Sequence, residues 1–491
     1  MAPDPIRPSL DRRQFIAAAA AASTGIALGT RAHGASAAPA KPGRKRYALV
    51  GTGSRSGMYR DAVLGAFASQ AELVGLCDIN PGRLELARQR AKAQGADVPA
   101  FAAADFDRMI RETKPDALIV TTKDSAHDAH IIRAMQLGCD VITEKPMTID
   151  AARCGAILKA QRETGRRCVV GFNYRYSPPR TQVKELLMRG TIGEVLSVDF
   201  HWLLDTRHGA DYFRRWHSMK GESGGLMVHK ATHHFDLVNW WLSAVPESVT
   251  GAGRREFYTP QTARRMGLEK PGPRCRTCEE KARCTFYLDM ERVPSMKALY
   301  VDHEHHDGYF RDRCIWRPEI DIEDTMSVAV RYDTGATLNY SLNAYCAWEG
   351  YTVAFNGTQG RIEHKMEERV YVNGDGTLPG AIKRDGTTIR VYPLRAPAYA
   401  VDVWKGEGGH GGGDDLMLRD LFDAQPAPDP YLRAADQRAG AYSILSGIAA
   451  NQAFATGGTV RIADLVPGLE RPDFTPMPSR ESPIPMPPRI A

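Results

Sequence analysis

The chain has 491 residues, enough for two domains of ordinary size, each with its own core. Apolar residues make up 43% and charged residues 25%, which excludes a disordered polymer. The 64 basic residues exceed the 58 acidic ones by only 6 and are scattered, which argues against a nucleic-acid surface; no apolar run is long enough to serve as a stable membrane anchor.

Ser9-Leu10-Asp11-Arg12-Arg13-Gln14-Phe15-Ile16 leads into an apolar run from Ala17 to Leu28, then the small residues Ala35-Ser36-Ala37. A charged start, a short apolar stretch and small residues read as a signal peptide over 1–37. The paired arginines resemble the signal of the twin-arginine export machinery, which carries folded proteins. The expectation is a mature chain that begins near Ala38 and works in the periplasm or as a secreted protein.

Arg46-Tyr-Ala-Leu-Val-Gly51 reads as a buried parallel strand. Gly51-Thr52-Gly53-Ser54-Arg55-Ser56-Gly57 follows it and opens a helical stretch from Met58 to Ala68. Gly51 permits the tight turn, and Gly53 lets backbone N–H groups approach a pyrophosphate at the helix N-terminus. The usual third glycine is replaced by Ser56, with Gly57 one place late. A second strand, Leu73 to Cys77, ends in Asp78, where a ribose-binding carboxylate is expected. That acid favours NAD over NADP, although Arg55 and Arg83 could accept the extra phosphate.

The alternation continues with a strand over 116–122, a helix over 130–138 and a strand over 140–143 that ends in Glu144-Lys145-Pro146. Such a series predicts a doubly wound parallel sheet with ligands at the C-terminal strand edges. Lys145 falls at that edge, after a buried strand and before a proline.

At Glu144-Lys145-Pro146 the chain resembles the Gfo/Idh/MocA family of sugar and cyclitol oxidoreductases. The resemblance runs from the loop at Gly51 through His127 and Gly171-Phe-Asn-Tyr-Arg175 to Gly224-Gly-Leu-Met-Val-His229-Lys-Ala-Thr-His233-His234-Phe-Asp236, and more loosely to about residue 460. It implies an α/β fold: an N-terminal Rossmann domain (44–165), then a substrate and oligomerisation domain (166–464) with a large, open, mostly antiparallel sheet. It carries cofactor contacts to Gly51, Gly53, Ser54, Arg55, Asp78, Thr121, His127, Glu144 and Lys145. Lys145 takes the role of the lysine that touches nicotinamide and substrate hydroxyl, and His233 that of the general acid/base. Many members have an aspartate four residues before that histidine; here the residue is His229, a third catalytic candidate.

The chemistry suits these residue types independently. Oxidising a carbinol requires the hydroxyl proton to leave with the hydride, taken by a group whose pKa is near neutral. An imidazole meets that condition directly, and a lysine meets it when burial or a neighbouring cation lowers its pKa. Tyr174, Arg175, Arg215, His217 and His410 are candidate hydroxyl-binding neighbours. His229 and His233 stand four apart on one expected helix face, a chelate spacing, but two imidazoles make an incomplete metal site.

Cys275-x-x-Cys278, Cys284 and Cys314 lie in a basic, turn-rich insert at 271–316. Structural zinc with four thiolate ligands and a pair of disulfides both fit this pattern. Cys77, Cys139, Cys154, Cys168 and Cys346 read as buried small hydrophobes. Strands are expected around the Asp333-Thr-Gly335 turn, with Tyr351 to Phe355 continuing the sheet. A flexible glycine-rich loop is expected at 408–415, a helix from Ala434 to Ala453, and a Pro-rich arm over 465–491.

The function expected is hydride transfer between a tightly held NAD, with NADP as the alternative cofactor, and a hydroxyl carbon of a sugar or cyclitol. An exported enzyme has no nicotinamide pool, so the cofactor must travel bound and be restored in each cycle. Two other readings stand beside it. One is a redox-neutral NAD-dependent glycosidase like the family's α-N-acetylgalactosaminidases, which share the Gly-His-Gly-Gly loop; the other is a non-catalytic sugar-binding relic. The open sheets of the family lead us to expect a homo-oligomer.

Overall fold

β1 (Lys45–Val50) starts at an exposed basic residue and ends in four buried ones, the pattern of a strand entering the middle of a covered sheet. The computed structural model describes residues 43–370 and 386–486, so the expected export signal at 1–37 lies outside the described residues. β1 is followed by β2 (Ala71–Asp78), β3 (Ala100–Ala102), β4 (Ala117–Val120), β5 (Asp140–Thr143) and β6 (Cys168–Val170), with helices between them. These six strands pair in parallel in the order β6-β5-β4-β1-β2-β3. The order reverses at β1, between β4 and β2, which makes the C-terminal end of β1 the switch point.

The second sheet is built from β7 (Val195–Asp205), β8 (Pro246–Arg254), β9 (Thr325–Tyr332), β10 (Thr337–Cys346), β11 (Trp348–Gly357), β12 (Gly360–Val370), β13 (Thr387–Pro393) and β14 (Tyr399–Ala400). β15 (Ala435–Asp436) returns to the first sheet and pairs antiparallel with β6, and β16 (Val460–Arg461) closes the edge of the second. Every pair in the second sheet is antiparallel except β7 with β10. The expected architecture, a Rossmann sheet followed by a large and mostly antiparallel one, is therefore present.

Period-two alternation decides which face of the second sheet is covered. In β9, Met326, Val328, Val330 and Tyr332 are buried while Ser327, Ala329 and Arg331 are exposed. The covered face packs against the helices Thr232–Leu242 and Gln437–Thr456, and Trp241 meets Phe355 edge to face at 5.4 Å. The core is continuous from this face into β4, β5 and β6. A second core on the other side of the Rossmann sheet joins Tyr47, Leu49 and Ile119 to Met417 and Phe422 of the helix Gly409–Phe422. That helix begins in the expected flexible loop. His410, Gly411 and Gly412 take left-handed conformations and turn the chain directly into it, so the loop is a built corner.

Buried polar groups tie the second domain to the site. Arg175 donates to both carboxylate oxygens of Asp236 at 2.8 and 2.6 Å, and the pair is almost fully shielded from water. Lys184 has no exposed surface and donates to Trp240 O (2.7 Å) and Ser243 Oγ (2.8 Å), satisfying the last carbonyls of the helix Thr232–Leu242. The described part of the Pro-rich arm lies along its own chain: Ser243 Oγ donates to Thr475 O at 2.8 Å, and Arg471 pairs with Asp333.

Removing one member of the Arg175–Asp236 pair strands a buried charge. Asp236→Ala is expected to lower unfolding free energy by about 3–5 kcal/mol in a denaturant titration; a loss below about 1 kcal/mol would mean that the pair does not hold the fold.

Candidate active site

The switch point is shaped by what a side chain would strike. Gly51 has φ +88°, and a Cβ there would sit 2.6 Å from the Thr122 backbone nitrogen. Thr121 Oγ1 donates to Gly51 O at 2.6 Å and locks the turn against β4. At Gly53 a Cβ would meet nothing within 4 Å, so that face of the loop is open. The helix Ser56–Leu64 that follows has no side-chain cap and no acid in its first turn; Ser56 N and Gly57 N donate to Gly53 O and Ser54 O at 3.2 and 3.4 Å, and its positive dipole end faces the loop. Ser54 is exposed on the same loop, and Ser56 Oγ donates to Gly53 O at 2.7 Å, taking the place of the missing third glycine.

At the end of β2, Asp78 is buried and accepts from Thr52 N (2.5 Å) and Thr52 Oγ1 (2.9 Å) on one oxygen and from Asn80 N (2.7 Å) on the other. The next residue, Ile79, leaves 74% of its surface exposed, an apolar side chain just past the end of β2. An open glycine loop, the positive end of a helix and a carboxylate at the second strand end are the parts a dinucleotide requires. The residues present therefore fit that group.

Lys145 sits where β5 leaves the sheet. Its Nζ donates to His229 O at 3.3 Å. Burial lowers its pKa to about 8, with the charges of Asp124 and Glu144 opposing and those of Lys230 and Arg55 assisting. Glu144 is fixed by Arg55 Nε at 2.5 Å and Tyr59 Oη at 2.8 Å. His127 is buried with Nδ1 at 2.8 Å from Pro146 O and Nε2 at 3.2 Å from Thr122 O, so it pins the two strand ends that flank Lys145. Of the expected cofactor contacts, Glu144 and His127 are thus engaged with protein partners that position the lysine.

The second domain supplies the opposite wall. His229 and His233 do not share one helix face. They fall on the separate short helix Leu226–His229 and on Thr232–Leu242, because the chain breaks at Lys230–Ala231. His229 Nδ1 lies 2.5 Å from Asp124 Oδ2, a residue at the exit of β4. Burial raises the Asp124 carboxyl well above its ordinary range, and burial with the nearby Lys145 charge pushes His229 well down. His233 stacks on Tyr174 at 4.2 Å and 15°, and its Nδ1 is buried without a partner. His217 Nδ1 is likewise unpartnered, its ring 4.1 Å from that of His229. Burial depresses both His233 and His217, and the neighbouring cations Lys145 and Arg215 add to it.

Of the expected hydroxyl-binding side chains, Tyr174 and His217 join this cluster, Arg215 stands beside His217, and His410 approaches Tyr174 with rings 5.8 Å apart. His410 Nδ1 also lies 2.8 Å from Asp414 Oδ2. Against the upward push of burial, that hydrogen bond and the His410 and Arg55 charges bring Asp414 down to about 2. Arg175 is the exception: its guanidinium is committed to Asp236, so the expected substrate contact is corrected to a structural one. Sequence reading missed Asp124 and Lys230. Asp124 follows a parallel strand at the switch-point edge, which is a usable signal; Lys230 lies inside the motif and carries none, its burial and its 4.5 Å approach to the Trp202 ring being tertiary facts.

The insert does not bear out its expected metal. Cys275, Cys278, Cys284 and Cys314 do converge, together with Trp316, on one cavity of about 20 Å³. Arg214 Nη1 donates to Cys275 Sγ at 3.2 Å and Gly272 N to Cys278 Sγ at 3.3 Å. Among the described residues, however, no three His, Cys, Asp or Glu side chains are grouped to hold a metal ion, and all nine cysteines are free of disulfides. The zinc expectation is corrected accordingly: the thiols line a packed loop core. Cys77, Cys139, Cys154 and Cys168 are buried as expected, while Cys346 is only half-buried.

Residues 45–172 match the family model described as "Oxidoreductase family, NAD-binding Rossmann fold", and 184–462 match "Oxidoreductase family, C-terminal alpha/beta domain". The chain is 40% identical over 411 residues to YteT of Bacillus subtilis (strain 168), named as an oxidoreductase, covering 82% of this chain and 94% of that one. Inositol 2-dehydrogenase of Rhizobium meliloti (strain 1021) is 31% identical over 209 residues, 42% of this chain and 57% of the relative. Among solved structures, the WlbA dehydrogenase from Bordetella pertussis, in complex with NADH and UDP-GlcNAcA, shares the fold with a TM-score of 0.56 at 20% identity, covering 85% of this chain and 98% of that one.

The lowered pKa of Lys145 is directly measurable. Pulse acetylation read by mass spectrometry should show Lys145 becoming reactive near pH 8, well below the value of about 10.4 for an exposed lysine; a midpoint at the ordinary value would remove Lys145 as a neutral-pH base.

Proposed function

The chain belongs to the Gfo/Idh/MocA oxidoreductase family, and from that premise we propose that it oxidises a ring hydroxyl of a sugar or cyclitol with NAD held at the Gly51 loop. The observation that carries this reading is a convergence: a lysine with its pKa lowered to about 8 and an imidazole with an unpartnered Nδ1 stand near one another where β5 leaves the sheet. The inositol dehydrogenase relatives support a polyhydroxylated ring as the substrate class.

When bound, the nicotinamide ring supplies the hydride acceptor. The rest is done by this chain. The amine form of Lys145 accepts the hydroxyl proton as the carbonyl forms, and as an ammonium it steadies the oxygen's developing charge. His233, braced on Tyr174, offers Nδ1 to a neighbouring ring hydroxyl and orients the ring against Lys145. His229 with Asp124 keeps an acidic partner in the place where many relatives have an aspartate. Tyr174, His217, Arg215 and His410 complete the hydroxyl-binding wall, and the apolar bodies of Tyr212 and Trp216 pack beside His217 and His229 to keep water from it.

We also propose export by the twin-arginine route with the cofactor already bound, and assembly as a homo-oligomer through the open sheet. The first rests on the arginine pair at 12–13, the second on the solvent-facing rows of β9 and β10.

Nicotinamide absorbance should appear when the purified protein is denatured, and incubation with inositols or aldoses should build or bleach the reduced form. Release of an aglycone from an aryl glycoside without net cofactor change would replace the dehydrogenase reading with the glycosidase one. Lys145→Ala should lower kcat by about 10²–10⁴-fold with little change in KM, and full retention of activity would overturn the assignment. In the oxidative direction kcat/KM should rise with pH through about 8, because Lys145 accepts a proton only as the amine; a profile falling through that value would reverse its role.

A further inference from the structure

The insert carries more than its cysteines. Its segment 294–307 folds as a helix (Pro294–Leu299), a tight turn (Val301–His303) and a last helical turn (Glu304–Asp307), and this end reaches across to the Rossmann domain beside Asp78. Asn80 Nδ2 donates to His303 O at 2.9 Å. The His303 ring lies so close to Gly82 that a Cβ there would come within 2.1 Å of it. Arg83 is ion-paired with Asp307 and stands 3.9 Å from Asp78, and its buried Nη1 has no partner. Leu86, on the helix Pro81–Ala93, packs against the insert's own small core of Met290, Leu299 and Tyr300.

The insert is stiff enough to hold that position. Arg274 bridges Glu304 and Asp312 at 2.8 and 2.7 Å, tying the last turn to the cysteine loop. Arg311, a few residues on, donates to Asp211 at 2.8 Å, and Asp211 also pairs with Arg215 in the wall beside His217. The insert therefore links the region just past β2, through 303–307, to the wall beside His217, through Arg311 and Asp211.

We infer that residues 303–307 complete the adenosine-ribose subsite: Asp307 neutralises Arg83, so the groove rejects a 2′-phosphate, and the docked insert slows release of the dinucleotide. This rests on the dinucleotide reading above. Arg83 is the cation that would otherwise welcome the extra phosphate of NADP, while Arg55 is already held by Glu144 at 2.5 Å. With Arg83 answered by Asp307 and Asp78 next to it, a doubly charged phosphate meets net negative charge.

The test uses fluorescence titration of the full protein with NADH and NADPH, and release rates measured by trapping. Asp307→Asn keeps the shape and removes the charge. It should shift the NADPH-to-NADH affinity ratio toward NADPH by about tenfold, the effect expected for freeing one phosphate-binding arginine. Leu86→Ser loosens the docking of the insert and should speed NADH release by about tenfold, the scale of one buried apolar contact. An unchanged ratio in Asp307→Asn overturns the subsite proposal, even if Leu86→Ser fails to fold. Unchanged release in a folded Leu86→Ser overturns the retention. If the unaltered protein takes up neither nucleotide, the dinucleotide reading falls, and this inference with it.

Discussion

One constraint underlies the site: a lysine is kept out of bulk water at the end of a parallel strand. Burial disfavours the ammonium form of Lys145, and two carboxylates nearby prevent the shift from becoming extreme. The balance places its titration within reach of neutral pH. Everything around it serves that balance. Tyr59 and Arg55 hold Glu144, His127 holds the strand exits, and the second domain brings the His229 carbonyl to its Nζ.

The second domain contributes mainly by exclusion. Its sheet presents one covered face and one solvent face, and the helices on the covered side carry His233 and His234 among Tyr174, Trp202 and Tyr340. These rings remove water and hold the imidazoles by stacking, which leaves ring nitrogens without partners. Buried donors and acceptors without partners are costly in a finished fold, and His217 Nδ1 and His233 Nδ1 are two such atoms, on rings that stand beside Lys145. The Arg175–Asp236 pair is the contrasting case: also buried, but fully answered by its own partner, and therefore part of the scaffold.

The insert at 271–316 joins these themes. It packs a small apolar core of its own, is braced by ion pairs such as Arg274 with Glu304, and reaches Arg83 through Asp307 and Asp211 through Arg311. Its cysteines sit in the base of that structure.

Local chemistry in the chain was enough to read the Rossmann half. The strands entering buried runs, the glycines at 51 and 53, the acid at 78 and the lysine before Pro146 each answer to a rule about neighbours in sequence. Strand and helix positions therefore emerged close to their places, with ends differing by a few residues. The distant partners were not legible: Asp124 for His229, Asp236 for Arg175, and Asp307 for Arg83 lie from 61 to 224 residues away. Tertiary structure alone decided that Arg175 belongs to the scaffold, that His229 and His233 sit on different helices, and that the glycine-rich loop is a corner. The physical reason is that a side chain's role depends on which charge or ring faces it after water has been removed, and sequence spacing does not record that.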